Sequence, residues 1–289
     1  MANYYTSSSE LTAICDAIRQ ATGVNGLLEF PSDLIAEVDA YIDARCKYDY
    51  NFPLCNVRDL RCSSIREAGF MHAKVQSVDF PACTMIGSSA FQYCFSLRTA
   101  SFPNCTFLGP RAFSSCIALT DISFPKCTIV QEGAFEACYS LKSLYLPLCT
   151  DIGEGTGNIC WNCSELSIVD LPNCTIMRGS HMFGSCAKLQ YVNLPKCSII
   201  ASSAFSMCSA LSYLSFPACT SIGICAFTGC TNLSSIYLLN SSVVSLAVYA
   251  VFEGTKITQT TGSIIVPASL VNAYKTGDWW YFSDRIFGI

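Results

Sequence analysis

From Cys83 onward the chain closes one unit of about 22 residues again and again, and this fixed period constrains its fold more than any other feature. Each unit reads Leu, two variable residues, an aliphatic, a variable residue, then Phe or Leu, Pro, any residue, Cys and Thr. It continues with an aliphatic, often Gly, then Ala-Phe and a second Cys three residues beyond that Phe. The run from Phe102 to Ile122, FPNCTFLGPRAFSSCIALTDI, is one full turn of the pattern. Seven prolines (Pro81, Pro103, Pro125, Pro147, Pro172, Pro195, Pro217) mark the register, with spacings of 22, 22, 22, 25, 23 and 22. A repeat of this length predicts a solenoid, because no single unit can bury its apolar face and only stacked neighbours make a continuous core.

Within each coil, the alternation Leu-x-x-Φ-x-Φ, as at Leu141, Leu144 and Leu146, predicts a strand that the following proline ends. The Thr-x-Φ-Gly stretch is expected on the opposite side, and Ala-Phe-x-x-Cys as a short helical turn with Phe in the core. The predicted fold is an α/β solenoid with one parallel strand row and short helical turns. Residues 1–46 fall outside the repeat and read as a helical cap or attachment segment. Ser7 and Glu10 have capping-box spacing, Leu11, Ile14 and Ile18 share a helical face, and a second helix is expected after Pro31. The solenoid is expected over 47–240, with Cys62–Phe70 as a degenerate first coil. A C-terminal cap is expected over 241–289, as a strand, a short helix from Pro267 and an aromatic end.

This unit resembles the BspA-type leucine-rich repeat of bacterial proteins over roughly residues 60–239, and the ending VPASLVNAYKTGDWWYFSDRIFGI is similar to those that follow such repeats. The segments SELTAICDAIRQATG and EFPSDLIAEVDAYI are similar to short stretches of phage and prophage tail-associated proteins. The resemblance implies a non-enzymatic binding protein, of a kind often found at cell surfaces, where members engage host proteins or other cells.

Charged residues make up 13% of the chain and the formal net charge is −4, so the basic footprint that nucleic-acid binding requires is missing. The first fifteen residues carry no basic segment leading into an apolar one, so no secretory signal is expected. The nearly apolar run from Ser242 to Phe252 is too short to span a bilayer, and no membrane insertion is expected. The expectation is a soluble protein, cytoplasmic or virion-associated rather than exported through a signal peptide. Of the 20 cysteines, fourteen fall in two columns, one following Pro (Cys83 to Cys219) and one following Ala-Phe (Cys94 to Cys230). Column members on adjacent coils lie about 4.8 Å apart and point the same way, which is poor geometry for a bridge. They are expected as free thiols in small buried positions.

Only His72 and His181 are available for acid–base or metal chemistry, and no phosphate loop or paired-carboxylate motif occurs; neither a catalytic residue nor a cofactor is expected. Cys160 and Cys163 have redox spacing, but Cys160 also stands in the column held elsewhere by Phe, so the alternative is a core replacement. Two longer coils, around Asp151–Gly157 and Arg178–His181, are expected as neighbouring bulges where Glu154, Arg178 and His181 could make a small polar site, the alternative being a plain surface loop. The candidate ligand site is the outward side of the strand row, where Tyr145, Asp170, Tyr191, Asn193, Tyr213 and Tyr237 gather. Tyr offers a large amphipathic surface with few rotors, although strand propensity alone also favours it. A separate feature is the run from Cys197 to Phe252, 56 residues without Asp, Glu, Lys, Arg or His. Interface centres are depleted of charge, so this region is a candidate for self-association, the alternative being a surface kept soluble by Ser and Thr. Two function classes follow: a recognition module for a protein or glycan, or a structural part of a larger assembly such as a phage or prophage tail.

Overall fold

A computed structural model describes residues 55–60, 62–247, 249–259 and 261–289. The helical pair expected over 1–46 lies outside the described residues. The rest winds as a parallel solenoid whose coils follow the proline register, and it presents two rows of strands rather than the single row expected from sequence. One row is made by the Leu-x-x-Φ-x-Φ segments. The other is one unbroken nine-stranded sheet that runs from Ser64–Ile65 to Ser245–Leu246 and contains the Thr-x-Φ segments.

The second row is built from strands of two to four residues, too short to show alternation in sequence. Stacking defines them. The repeated Thr supports this row, since its hydroxyl donates to the carbonyl of the preceding coil: Thr106 to Thr84 O at 3.1 Å, Thr128 to Thr106 O at 3.1 Å and Thr220 to Ser198 O at 2.9 Å. The glycine that often follows leaves room for that neighbour, for a Cβ at Gly109 would lie 2.8 Å from the carbonyl carbon of Gly87.

The Ala-Phe-x-x-Cys segments are not helical turns. Their amides split two ways: Ala112 and Ser114 donate three residues back, to Gly109 O and Arg111 O, while Arg111, Phe113 and Ser115 donate to the next coil, at Glu132 O, Ala134 O and Glu136 O. A helix would need all of them internally. Residues on either side of the Phe take positive φ, for example Arg111 (54°) and Ser115 (61°), Ser203 (54°) and Met207 (62°). Each such non-glycine position costs on the order of 1 kcal/mol, and the coil-to-coil bonds made by these same amides offset it.

The core runs the length of the stack. Phe70, Phe91, Phe113 and Phe135 form one column with ring centroids 4.9–5.7 Å apart, interrupted at Cys160 and resumed by Phe183, Phe205, Phe227 and Phe252. A second column, Phe80, Phe102 and Phe124, continues as Leu146, Leu171 and Leu194 and returns to a ring at Phe216. Phe135 is fully buried against Phe113 and Phe124. We expect Phe135→Ala to cost about 3–5 kcal/mol, as large core truncations do, read by chemical unfolding of the whole array. A loss under about 1 kcal/mol would mean that the coils collapse around the gap.

The first row is divided into three ladders: Cys55–Arg58 to Asp121–Ser123, Ser143–Tyr145 to Tyr191–Asn193, and Tyr213–Ser215 to Ile286–Gly288. Both interruptions coincide with a change in the column beneath, from Phe124 to Leu146 and from Leu194 to Phe216, but the change from Phe216 to Leu238 leaves its ladder whole. At the ladder ends Ile122 and Val192 are only partly buried, whereas their counterparts Ala100, Leu144, Val169 and Leu214 are buried.

The C-terminal segment supplies a strand at Ser263–Val266, a helix at Val271–Thr276 and a final strand at Ile286–Gly288. Tyr274, Trp279, Phe282 and Ile286 close the core. The Trp279 Nε1 donates to Val244 O at 2.7 Å, and the Tyr274 hydroxyl accepts the Val244 N–H at 3.0 Å.

Candidate recognition face

Alternation along the first row decides which side chains face solvent. In Ser143–Leu144–Tyr145 the middle residue is buried and the flanking pair is exposed, and the same holds in Tyr213–Leu214–Ser215. Register then aligns the coils: Tyr145 lies beside Asp170 and Asp170 beside Asn193, while Ser143, Ile168 and Tyr191 form the parallel column two residues earlier. Tyr145, Tyr191 and Tyr213 are 56%, 45% and 54% exposed. Asp170, Asn193 and Tyr237 are half-buried. The Asn193 amide donates to Asp170 Oδ1 at 2.8 Å, which fixes both side chains.

Four of the six sequence-derived residues thus share one ladder. Tyr213 and Tyr237 belong to the next, where Tyr237 pairs in register with Ser215. The interruption between Asn193 and Tyr213 was not visible in the sequence, where the 22-residue period runs on unchanged from Pro195 to Pro217. At the opposite end of the row the polar groups engage one another: Arg58 pairs with Asp79 at 3.0 Å, and Ser77 donates to Asn56 Oδ1 at 2.7 Å. The face therefore passes from paired polar groups to exposed rings along the stack.

The bulges are neighbours, joined through a parallel bridge between Gly157 and Ser180. Their polar residues are engaged locally. Arg178 Nε donates to both carboxylate oxygens of Asp151, at 3.0 and 2.8 Å, rather than converging with Glu154 on His181. Glu154 accepts from Gln131, and the Thr156 N–H and hydroxyl both donate to Glu132, which holds that carboxyl below its usual value.

Cys160 and Cys163 are fully buried, and burial raises the Cys160 thiol well above its usual value, against a redox role. The cysteines whose side chains are described are free. Both columns donate to backbone carbonyls: Cys105 Sγ to Phe107 O at 3.2 Å within its own coil, Cys116 Sγ to Phe91 O at 3.0 Å across coils. The thiols are hydrogen-bonding core groups as well as small apolar ones.

Two exposed apolar stripes escaped the sequence reading. Met85, Ile129 and Ile199 project from the second row, and Phe95, Ile117 and Tyr139 project just beyond the second cysteine column in three successive coils. The signal for the latter was the residue after each second-column Cys. Among the described residues no group of three His, Cys, Asp or Glu side chains could hold a metal ion, and no helix is long and apolar enough to cross a membrane.

Comparison with solved structures finds distant similarities. A leucine-rich repeat protein of T. pallidum is 23% identical, with 62% of this chain and 78% of that chain covered at a TM-score of 0.49. A leucine-rich cell surface protein from Faecalibacterium prausnitzii is 21% identical, with 72% and 77% covered at a TM-score of 0.41. The pneumococcal vaccine antigen PcpA is 17% identical, with 81% and 78% covered at a TM-score of 0.35. No curated protein matches the chain. The BspA-type leucine-rich repeat region matches in six copies over residues 63–160 and 156–272, the same stretch whose period, twin cysteine columns and stacked rings are described above, and the chain belongs to that family.

Proposed function

We propose that the protein is a non-enzymatic recognition module that binds a protein or glycan through the outward side of the first strand row. The observation that carries this reading is the set of exposed rings at Tyr145 and Tyr191, held by strand register around the hydrogen-bonded Asp170–Asn193 pair, with Tyr213 exposed at the start of the next ladder. Rigid aromatic anchors are the side chains that dominate binding energy at interfaces. Exposed tyrosines also cost solubility without contributing to the core.

The test is a combined protein and glycan array probed with the wild-type chain and with two double variants. Tyr191→Ala with Tyr213→Ala should weaken every specific hit at least tenfold, about 1.4 kcal/mol. Met85→Ala with Ile199→Ala, on the second row, should leave them unchanged. Hits that survive the tyrosine pair and vanish with the other would move the site to the second row.

A second reading, a structural part of an assembly such as a phage or prophage tail, draws on one observation. Between Cys197 and Phe252 the surface carries exposed Ile199, Met207, Ile224, Leu239 and Val243 and no formal charge. Such a surface suits packing against another subunit. Light scattering separates the two, since an assembly part should multimerise as concentration rises.

A further inference from the structure

Resting on the strand-face reading, we infer that the ligand of this face is an uncharged, linear glycan lying along the solenoid axis. The outward columns from Ser143 to Tyr237 (Ser143, Tyr145, Ile168, Asp170, Tyr191, Asn193, Tyr213, Ser215, Ser235 and Tyr237) contain one formal charge, that of Asp170. A polyanion would meet a carboxylate and no cation in these columns. A polycation would find a single carboxylate, already accepting one hydrogen bond from Asn193. Charge complementarity therefore points to a neutral partner.

Geometry narrows the class. The four tyrosines span five consecutive coils, about 19 Å at the usual strand spacing, in two columns two residues apart. A linear ligand running across the strands meets the exposed Tyr145, Tyr191 and Tyr213 and the half-buried Tyr237, with small serines at Ser143, Ser215 and Ser235 in the same columns. A pyranose has the matching surface: apolar C–H faces for the rings, and equatorial hydroxyls at the edge. Between the rings, the Asn193–Asp170 hydrogen bond occupies one amide proton and one carboxylate oxygen. That leaves Asp170 Oδ2 and the Asn193 amide oxygen as adjacent acceptors for vicinal hydroxyls. Bonds to the ionised Asp170 are the stronger of these. A protein ligand would be expected to seat anchors in desolvated pockets; this face offers rings on the exposed side of the strand row, with Ile168 and Asp170 between Tyr145 and Tyr191.

The test is titration of the full chain, by calorimetry and by tyrosine fluorescence, with neutral linear hexasaccharides (cello-, laminari-, malto- and chitohexaose), the matching disaccharides and a heparin-derived hexasaccharide. At least one neutral hexasaccharide should bind at least tenfold more tightly than its disaccharide, with an affinity insensitive to salt. Tyr191→Ala with Tyr213→Ala should reduce that affinity at least tenfold, Tyr145→Ala severalfold and Asp170→Asn severalfold. All keep the wild-type circular dichroism, since the tyrosines replaced are exposed and Asn is close to Asp in shape.

Tyrosine-dependent binding of a protein, with none of the neutral hexasaccharides bound, overturns the glycan assignment and leaves the recognition face standing. Tighter, salt-dependent binding of the heparin fragment overturns it as well. A neutral hexasaccharide whose affinity survives the tyrosine replacements overturns both the assignment and the face.

Discussion

Above about pH 9 the protein should lose its fold cooperatively, over a narrower pH range than ordinary domains show. Burial pushes the thiols of Cys105, Cys149, Cys219 and Cys230 up to about 12, and those of Cys116, Cys138, Cys186 and Cys208 well above their usual value. In the unfolded chain the same thiols ionise near 8.5. Their folded values are the raised ones, so their contribution to stability is complete below the unfolded value and is lost as the pH rises towards the folded one. Each thiol removes about 1.4 kcal/mol per pH unit in that window. Four such thiols remove about 5 kcal/mol per unit, against a typical total of 5–15 kcal/mol. Circular dichroism followed from neutral to alkaline pH should show the transition beginning between about pH 9 and pH 10.5. Alkylation should become rapid at the same point, and the denatured, unreduced chain should titrate close to all 20 thiols. An intact fold at pH 11.5 would mean that these cysteines are not desolvated as the structure shows, and a titre well short of 20 would mean that some are bridged.

That expectation was half legible in the sequence. Columns of Cys at a fixed position in every unit already implied burial, and stacking geometry argued against bridges. The carbonyl acceptors of the thiols could not be read, since Cys116 reaches Phe91 O in the preceding coil, 25 residues away. The same division runs through the fold. Leu141, Leu144 and Leu146 announced their strand because alternation is local. The second row did not, because Phe107–Leu108 is a strand only by virtue of Met85–Ile86 and Ile129–Gln131 beside it. Ala-Phe-x-x-Cys imitates a helical turn in spacing, yet Phe113 donates its amide to Ala134 O, and a positive φ at Arg111 and Ser115 turns the chain out of the helical path. At the candidate face, alternation identified the exposed Tyr145, Tyr191 and Tyr213. It could not show that Asn193 would bind Asp170, nor that the ladder would part between Tyr191 and Tyr213.

Replacing Trp279 by Ala should be more damaging than any single truncation within the coils. An interior ring such as Phe135 has a stacked neighbour in the adjacent coil and can be partly replaced by local collapse. Trp279 packs at the end of the described stack, with no further described coil behind it to do so. Its ring is fully buried against Phe252, Tyr274 and Phe282, and its Nε1 serves the Val244 carbonyl at 2.7 Å. Truncation therefore combines the cavity term, about 3–5 kcal/mol for a large aromatic, with an unsatisfied buried carbonyl at about 1–3 kcal/mol. The loss should be near or above 5 kcal/mol. The neighbouring contact gives a control, because the Tyr274 hydroxyl accepts the Val244 N–H. Tyr274→Phe keeps the ring and removes only that acceptor, so it should cost about 1–3 kcal/mol. In an array stabilised by nearest-neighbour interfaces, loss of the end coil frays the stack from that end first. Hydrogen exchange on the Trp279→Ala chain should thus accelerate at Ser235–Tyr237 and Ser263–Val266 while Val75–Asp79 stays protected. Equal acceleration at both ends would show that the solenoid unfolds as one unit, and no acceleration near Ser263 would remove Trp279 from its closing role.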